Sequence, residues 1–179
     1  MKKVKSNISK KGVPRGQRGR HVYIIGQHQF QNELIAFYLK REIEARCIIC
    51  SSPIDIDEKD IKRSGKPALI LIESPDKEDL DTYLKRFRKG DSNITNHHLM
   101  ALFNVNIGQG IEKKAISLGV KGIFYGEDTI ATFRKGIAAV FNGELWVSKE
   151  VLIQYVIGKD IEDSSAKNEK ALLTSREIE

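Results

Sequence analysis

The chain is expected to fold as a doubly wound α/β domain on a five-stranded parallel sheet. Three observations predict this. Five short apolar runs recur along the sequence, at Val22–Ile25, Ala45–Cys50, Pro67–Ile72, Leu99–Phe103 and Val120–Tyr125. Each run is continuously apolar rather than alternating, as strands covered on both faces are. Segments with helical spacing of apolar residues lie between them, so strands and helices alternate.

The elements follow in order. Val22-Tyr23-Ile24-Ile25 is the first strand, ending at Gly26. Residues 30 to 45 place Phe30, Leu34, Phe37, Tyr38 and Ile43 close to helical spacing. Ala45–Cys50 is closed by Ser51-Ser52-Pro53, and a polar stretch runs on through Ile61. Pro67–Ile72 is the strongest buried-strand candidate and ends at Glu73-Ser74-Pro75. Asp76 to Lys89 reads as an amphipathic helix with Leu80, Tyr83, Leu84 and Phe87 on one side. Leu99–Phe103 follows as the fourth strand. Ile111, Ala115, Ile116 and Leu118 mark a short helix stopped by Gly119, a C-terminal cap. After the fifth strand, Ile130, Phe133, Ile137, Val140 and Phe141 give a helix ending near Gly143. Ser148 is placed to cap one more, with Val151, Leu152 and Tyr155 as its apolar face. Five such units in about 130 residues suit a flavodoxin-like domain, whose functional crevice lies beyond the carboxyl ends of the strands.

The charge is unevenly placed. The 179 residues carry a net charge of +6, yet residues 1–20 hold eight basic side chains and no acidic one, which leaves the rest at −2. That arm also carries Gly12, Pro14, Gly16 and Gly19 and few apolar residues, so it is expected to be disordered. It is either a solvated leader or a weak, nonspecific contact for phosphates. No run approaches the roughly 18 apolar residues a membrane span needs, and no secretory signal is visible, so a cytoplasmic protein is expected.

Several chemical signals have a plain explanation. Cys47 and Cys50 form a CxxC on a strand, where residues three apart point to opposite faces, so they are expected to be core thiols. His97-His98 lacks a clustered third ligand and reads as surface loop. Gly108-Gln109-Gly110 is too short for a phosphate loop and reads as a helix start. His28 stands near the strand-end crevice without a Ser or Cys partner that would make it a catalytic base. No nucleophile–base pair or metal cluster points to an enzyme.

The last third carries a more specific pattern. Gly119-Val120-Lys121-Gly122-Ile123-Phe124-Tyr125, a helix, Gly143-Glu144-Leu145-Trp146-Val147-Ser148-Lys149, a charged linker, and Leu173-Thr174-Ser175-Arg176-Glu177 follow in that order. This order resembles the end of a CheY-like receiver domain in a LuxR/NarL-type response regulator, running into the "LTxRE" opening of its helix-turn-helix domain. The resemblance implies a receiver at residues 21–156 with an extra C-terminal helix, a linker at 157–171, and the truncated start of the DNA-binding domain at 172–179.

A phosphorylated receiver of that family needs acidic residues after the first strand, an aspartate after the third, Thr or Ser after the fourth and lysine after the fifth. The acidic residues hold a divalent metal, and the aspartate becomes an acyl phosphate. The corresponding positions here are Gly26 and Gln27, Glu73, Asn104 and Gly126. The expectation is a degenerate receiver that takes no phosphoryl group, with Glu73 facing solvent.

Receivers of this degenerate kind resemble the CsgD/VpsT-type branch, some of which bind cyclic di-GMP through Trp, then Phe, Leu or Met, then Thr or Ser, then Arg. Trp146 and Ser148 match that signature, Val147 is shorter, and Lys149 replaces the arginine. Lysine offers a point charge where arginine offers a planar fork that also stacks. If ligand binds, Trp146, Ser148 and Lys149 are expected to hold it. The alternative is that Trp146 packs the last two helices together or forms a dimer contact. The resemblance as a whole implies a homodimer that positions a DNA-binding domain, with dimer surfaces on the helix from Thr129 to Asn142 and the helix after Trp146. No cofactor is required.

Overall fold

The computed structural model describes residues 19–56, 59, 61, 64–76, 78–87 and 98–157. His97, most of the basic arm, the linker beyond Ile157 and the whole 172–179 segment lie outside the described residues. The elements are β1 (His21–Ile25), α1 (Gln29–Ile43), β2 (Arg46–Cys50), a 3-10 turn (Pro53–Asp55), β3 (Leu69–Glu73), α2 (Leu80–Lys85), β4 (Leu99–Val105), α3 (Glu112–Ser117), β5 (Gly122–Tyr125) and α4 (Ile130–Phe141). Residues 149–157 form a further helix, α5.

The strands make one parallel sheet in the order β2-β1-β3-β4-β5. That order reverses direction between β1 and β3, which is the switch point of a flavodoxin-like sheet. β3 lies at the centre and is buried along its whole length. Its side chains alternate between two core layers. Leu69 and Leu71 join Val22, Ile24, Leu39 and Phe124 on one face. Ile70 and Ile72 join Tyr23, Leu84, Met100 and Ile123 on the other. Continuous apolar runs therefore serve two cores at once, as a period of two requires.

The thiols follow the same rule. Cys47 packs with the first layer and Cys50 belongs to the second. Burial pushes both thiols up to about 11, so neither is a ready nucleophile near neutral pH.

Some boundaries differ from the sequence expectation. α2 spans only Leu80–Lys85, begun by Asp79, whose carboxylate accepts from the Thr82 amide. β4 runs past Phe103 to Val105, because Asn104 takes a left-handed φ of 56° and lets the strand bulge. The pairing with β5 slips between Leu102 and Val105 as a result. Gly108-Gln109-Gly110 is a turn before α3 rather than its start. Gln109 donates to the Pro75 carbonyl at 2.9 Å and so ties the β4 loop to the β3 loop. Gly119, at φ 86°, does end α3 as expected.

α1 departs furthest. Its buried face consists of Asn32, Leu39 and Ile43. Phe30, Leu34 and Phe37 point outward, at 74%, 52% and 65% exposure. The helical spacing was legible, but apolar residues lie all round this helix, so spacing alone could not say which side meets the sheet.

At the other edge, Trp146 pairs with β5 through two backbone bonds. Its amide donates to the Lys121 carbonyl at 2.8 Å and its carbonyl accepts from Ile123 at 2.9 Å. The Ser148 hydroxyl then accepts from the Val151 amide at 3.2 Å and starts α5. Leu152, expected on the packed face of α5, is exposed instead, with Ile153, Val156 and Ile157. No helix among the described residues is long and apolar enough to cross a membrane.

Candidate functional site

The crevice at the carboxyl ends of β1, β3 and β4 gathers six polar residues, Gln27, His28, Gln31, Asn32, Glu73 and Asn104. Glu73, the last residue of β3, is 8% exposed, which corrects the expectation that it faces solvent. Its carboxylate turns back toward the loop after β1. The Gln27 amide donates to Oε2. His28 Nδ1 lies 2.7 Å from Oε1, and Asn104 Nδ2 donates to the same oxygen at 3.1 Å. Burial alone raises the pKa of this carboxyl. The hydrogen bonds from His28, the Gln27 amide and Asn104 outweigh burial and hold it below its ordinary range. That ranking fits the magnitudes, since a hydrogen bond to a charged group contributes about 1.5–3 kcal/mol.

Gly26 makes room for this arrangement. A Cβ at that position would come within 2.7 Å of Glu73 Oε2 and 2.8 Å of Asn32 Oδ1. Asn32 is buried and donates to the Gly26 carbonyl at 2.9 Å, which fixes the loop from inside. The glutamate's extra methylene and the missing side chain at position 26 are therefore complementary.

Asn104 extends the network sideways. It exchanges two hydrogen bonds with Gln31 of α1, each 2.8 Å long, in a closed amide pair. Its left-handed backbone aims the side chain between Glu73 and Gln31. Asparagine tolerates that backbone better than most residues do.

The residues do not fit a receiver's divalent metal. Gly26 and Gln27 bring no carboxylate. Both oxygens of Glu73 are engaged by protein donors. Among the described residues no group of three or more His, Cys, Asp or Glu side chains is placed to hold a metal ion. Gly126 stands exposed after β5 with nothing near its absent side chain.

Trp146 is half-buried and lies on α4. A Cβ on Gly136 would fall 2.5 Å from Trp146 Nε1 and 2.3 Å from Phe124, so the indole occupies the space that glycine leaves. Ser148 is committed as the cap of α5, and Lys149 is exposed. Trp146, Ser148 and Lys149 thus share one short segment, while Gly26, Gln27, Glu73 and Asn104 meet at the crevice.

Sequence reasoning placed His28 near the crevice without its Glu73 partner, and missed Gln31 and Asn32 there. Only His28 carried a local signal, its position three residues past the end of β1. The partners of the others lie 45 or more residues away or on the backbone, at separations of 73 for Gln31–Asn104 and 45 for His28–Glu73.

No family model matches the chain, and no curated protein matches it. Solved structures do. The chain is similar to the regulatory domain of the master biofilm regulator CsgD, at 13% identity and a TM-score of 0.55, over 77% of this chain and 99% of that one. It is similar to the response regulator ChrA of a heme-sensing two-component system, at 11% identity and a TM-score of 0.51, over 79% of this chain and 65% of that one. At such identities the likeness is one of architecture: the chain has the CheY-like receiver fold.

Proposed function

We propose that the chain is the regulatory half of a LuxR-type transcription regulator, a receiver-like domain that self-associates without aspartyl phosphorylation. The observation that carries this reading is the Glu73 carboxylate, held by three donors in the place where a receiver binds metal and phosphoryl group. DNA recognition would belong to the domain opening at 172–179. Symmetric self-association suits such a reader, because paired half-sites call for paired protomers.

The outward stripe of α1 supports self-association. Phe30, Leu34, Phe37 and Arg41 lie on one exposed line of the helix, with Glu33 beside it. Laid antiparallel on a second copy, Leu34 meets the partner's Phe37 and Phe30 meets the partner's Arg41. Such a guanidinium over a ring contributes about 0.5–2 kcal/mol. Ile130, 66% exposed at the start of α4, stands beside this stripe across the cavity that both it and Leu34 line. The α4 surface read from the sequence thus contributes its first turn, and α1 the larger part. The exposed Ile153, Val156 and Ile157 of α5 offer a second apolar surface.

Sedimentation velocity of the chain and of Phe37→Glu tests the reading. A dimer in the first and a monomer in the second is the expected pair of results. Beryllofluoride with magnesium is expected to leave both unchanged. A beryllofluoride-driven dimer would overturn phosphorylation independence.

The second reading is cyclic di-GMP binding at Trp146, Ser148 and Lys149. The exposed lysine beside a half-buried indole favours it, while the packing of that indole on Gly136 favours a structural role. Calorimetric titration of cyclic di-GMP, with Trp146→Ala as control, separates the two.

A further inference from the structure

A cavity of about 200 Å³ opens between α1 and α4, beside the carboxyl ends of β4 and β5. Phe103 and Phe124 floor it, and Ile35, Tyr38 and Phe133 wall it. Three polar side chains also line it: Gln31, Asn104 and Asp128. An apolar concavity with a few convergent polar groups is the usual form of a small-molecule site.

We propose that this cavity binds a small uncharged ring compound bearing an amide or lactam edge. Size sets the first limit. An apolar cavity of about 150 Å³ holds benzene, so this one fits a single ring with a short substituent. The amide pair sets the second. Gln31 and Asn104 each donate to and accept from the other at 2.8 Å. A ligand with the same donor–acceptor edge can replace Asn104 as the partner of Gln31 and leave neither the Gln31 donor nor its acceptor unpaired. A ligand lacking the donor leaves a carboxamide oxygen stranded. Charge sets the third. Asp128 lines the cavity, and the anionic Glu73 meets Asn104 from the far side. Both disfavour phosphorylated or carboxylate ligands here. The left-handed backbone of Asn104 fits a ligand site too, since strained residues gather at such places.

Occupancy would be felt in the crevice. The Asn104 amide nitrogen donates to Gln31 and to Glu73 together. A ligand that re-aims this amide changes the donor set around Glu73. The proposal rests on the regulatory reading only for the use made of this coupling.

Benzamide is the probe, followed by two-dimensional amide NMR of the whole chain. The side-chain NH2 groups of Gln31 and Asn104 and the Gly126 amide are expected to shift saturably. Methyl benzoate keeps the ring and carbonyl but lacks the donor, and is expected to bind roughly tenfold more weakly, the effect of one hydrogen bond. Gln31→Leu is expected to abolish that preference while leaving methyl benzoate binding unchanged. Absence of saturable shifts with benzamide, equal binding of both probes, or a preference surviving in Gln31→Leu would each overturn the proposal. Repeating the titration on Phe37→Glu, which is outside the cavity lining, keeps loss of self-association separate from loss of the site.

Discussion

The two halves of the strand-end crevice solve opposite problems with one shared residue. On the β1–β3 side a carboxylate is withdrawn from water and saturated with donors from Gln27, His28 and Asn104. On the β4–β5 side aromatic rings from Phe103, Phe124 and Phe133 surround open space. The first half opens on a mostly polar cavity of about 390 Å³, the second on a mostly apolar one of about 200 Å³. The difference teaches that the strand ends of one sheet can hold a donor-bound carboxylate and an apolar hollow side by side. The Glu73 carboxylate lines the first cavity, and Asn104, which donates to it, lines the second.

Asn104 joins the halves, so its replacement is expected to have the largest effect. Asn104→Ala loses the donor to Glu73, about 1.5–3 kcal/mol for a charged acceptor. It also puts alanine at φ 56°, about 1–2 kcal/mol. A loss of about 3 kcal/mol in urea unfolding is expected. Asn104→Gly is expected to recover the backbone part alone, and equal losses in both variants would refute the division.

Gly26→Ala strikes the polar half hardest and also crowds Phe103 on the floor of the other, at 3.0 Å. Its Cβ would meet Glu73 Oε2 at 2.7 Å, and overpacking of this kind costs about 1–3 kcal/mol. Unfolding is expected at lower denaturant. Gly136→Ala breaks the other half by pushing Phe124. The strain of about 1–3 kcal/mol is offset by about 1 kcal/mol of helix propensity, leaving a net loss of about 1 kcal/mol. Trp146 fluorescence is expected to shift as the indole moves.

The smallest effect is one of pH. The folded Glu73 carboxyl titrates below its ordinary 4.5. Its contribution is therefore complete above that value and is lost as pH falls through the depressed folded one. Glu73→Gln is expected to flatten the acid limb of the stability curve in that window. An unchanged slope would show that the cage does not hold the carboxylate in solution.

Much of this molecule was legible without coordinates. The five strands, the cap at Ser148 and the opposed cysteines all follow from spacing, because a period of two or 3.6 is a local property. That Gly26 and Gln27 carry no carboxylate was also legible, since residue identity needs no geometry. What escaped was orientation. Leu34 and Phe37 read as ordinary helical spacing, yet they face outward.

The sequence by itself therefore determined the sheet, its two-sided burial and which residues stand at its strand ends. Only the tertiary structure decided that Glu73 turns inward, that Asn104 reaches Gln31 across 73 residues, and that Gly136 receives the Trp146 ring. Those outcomes depend on which helix face meets which strand end. A chain encodes that through packing of the whole, where buried donors must find acceptors and side chains must share one volume.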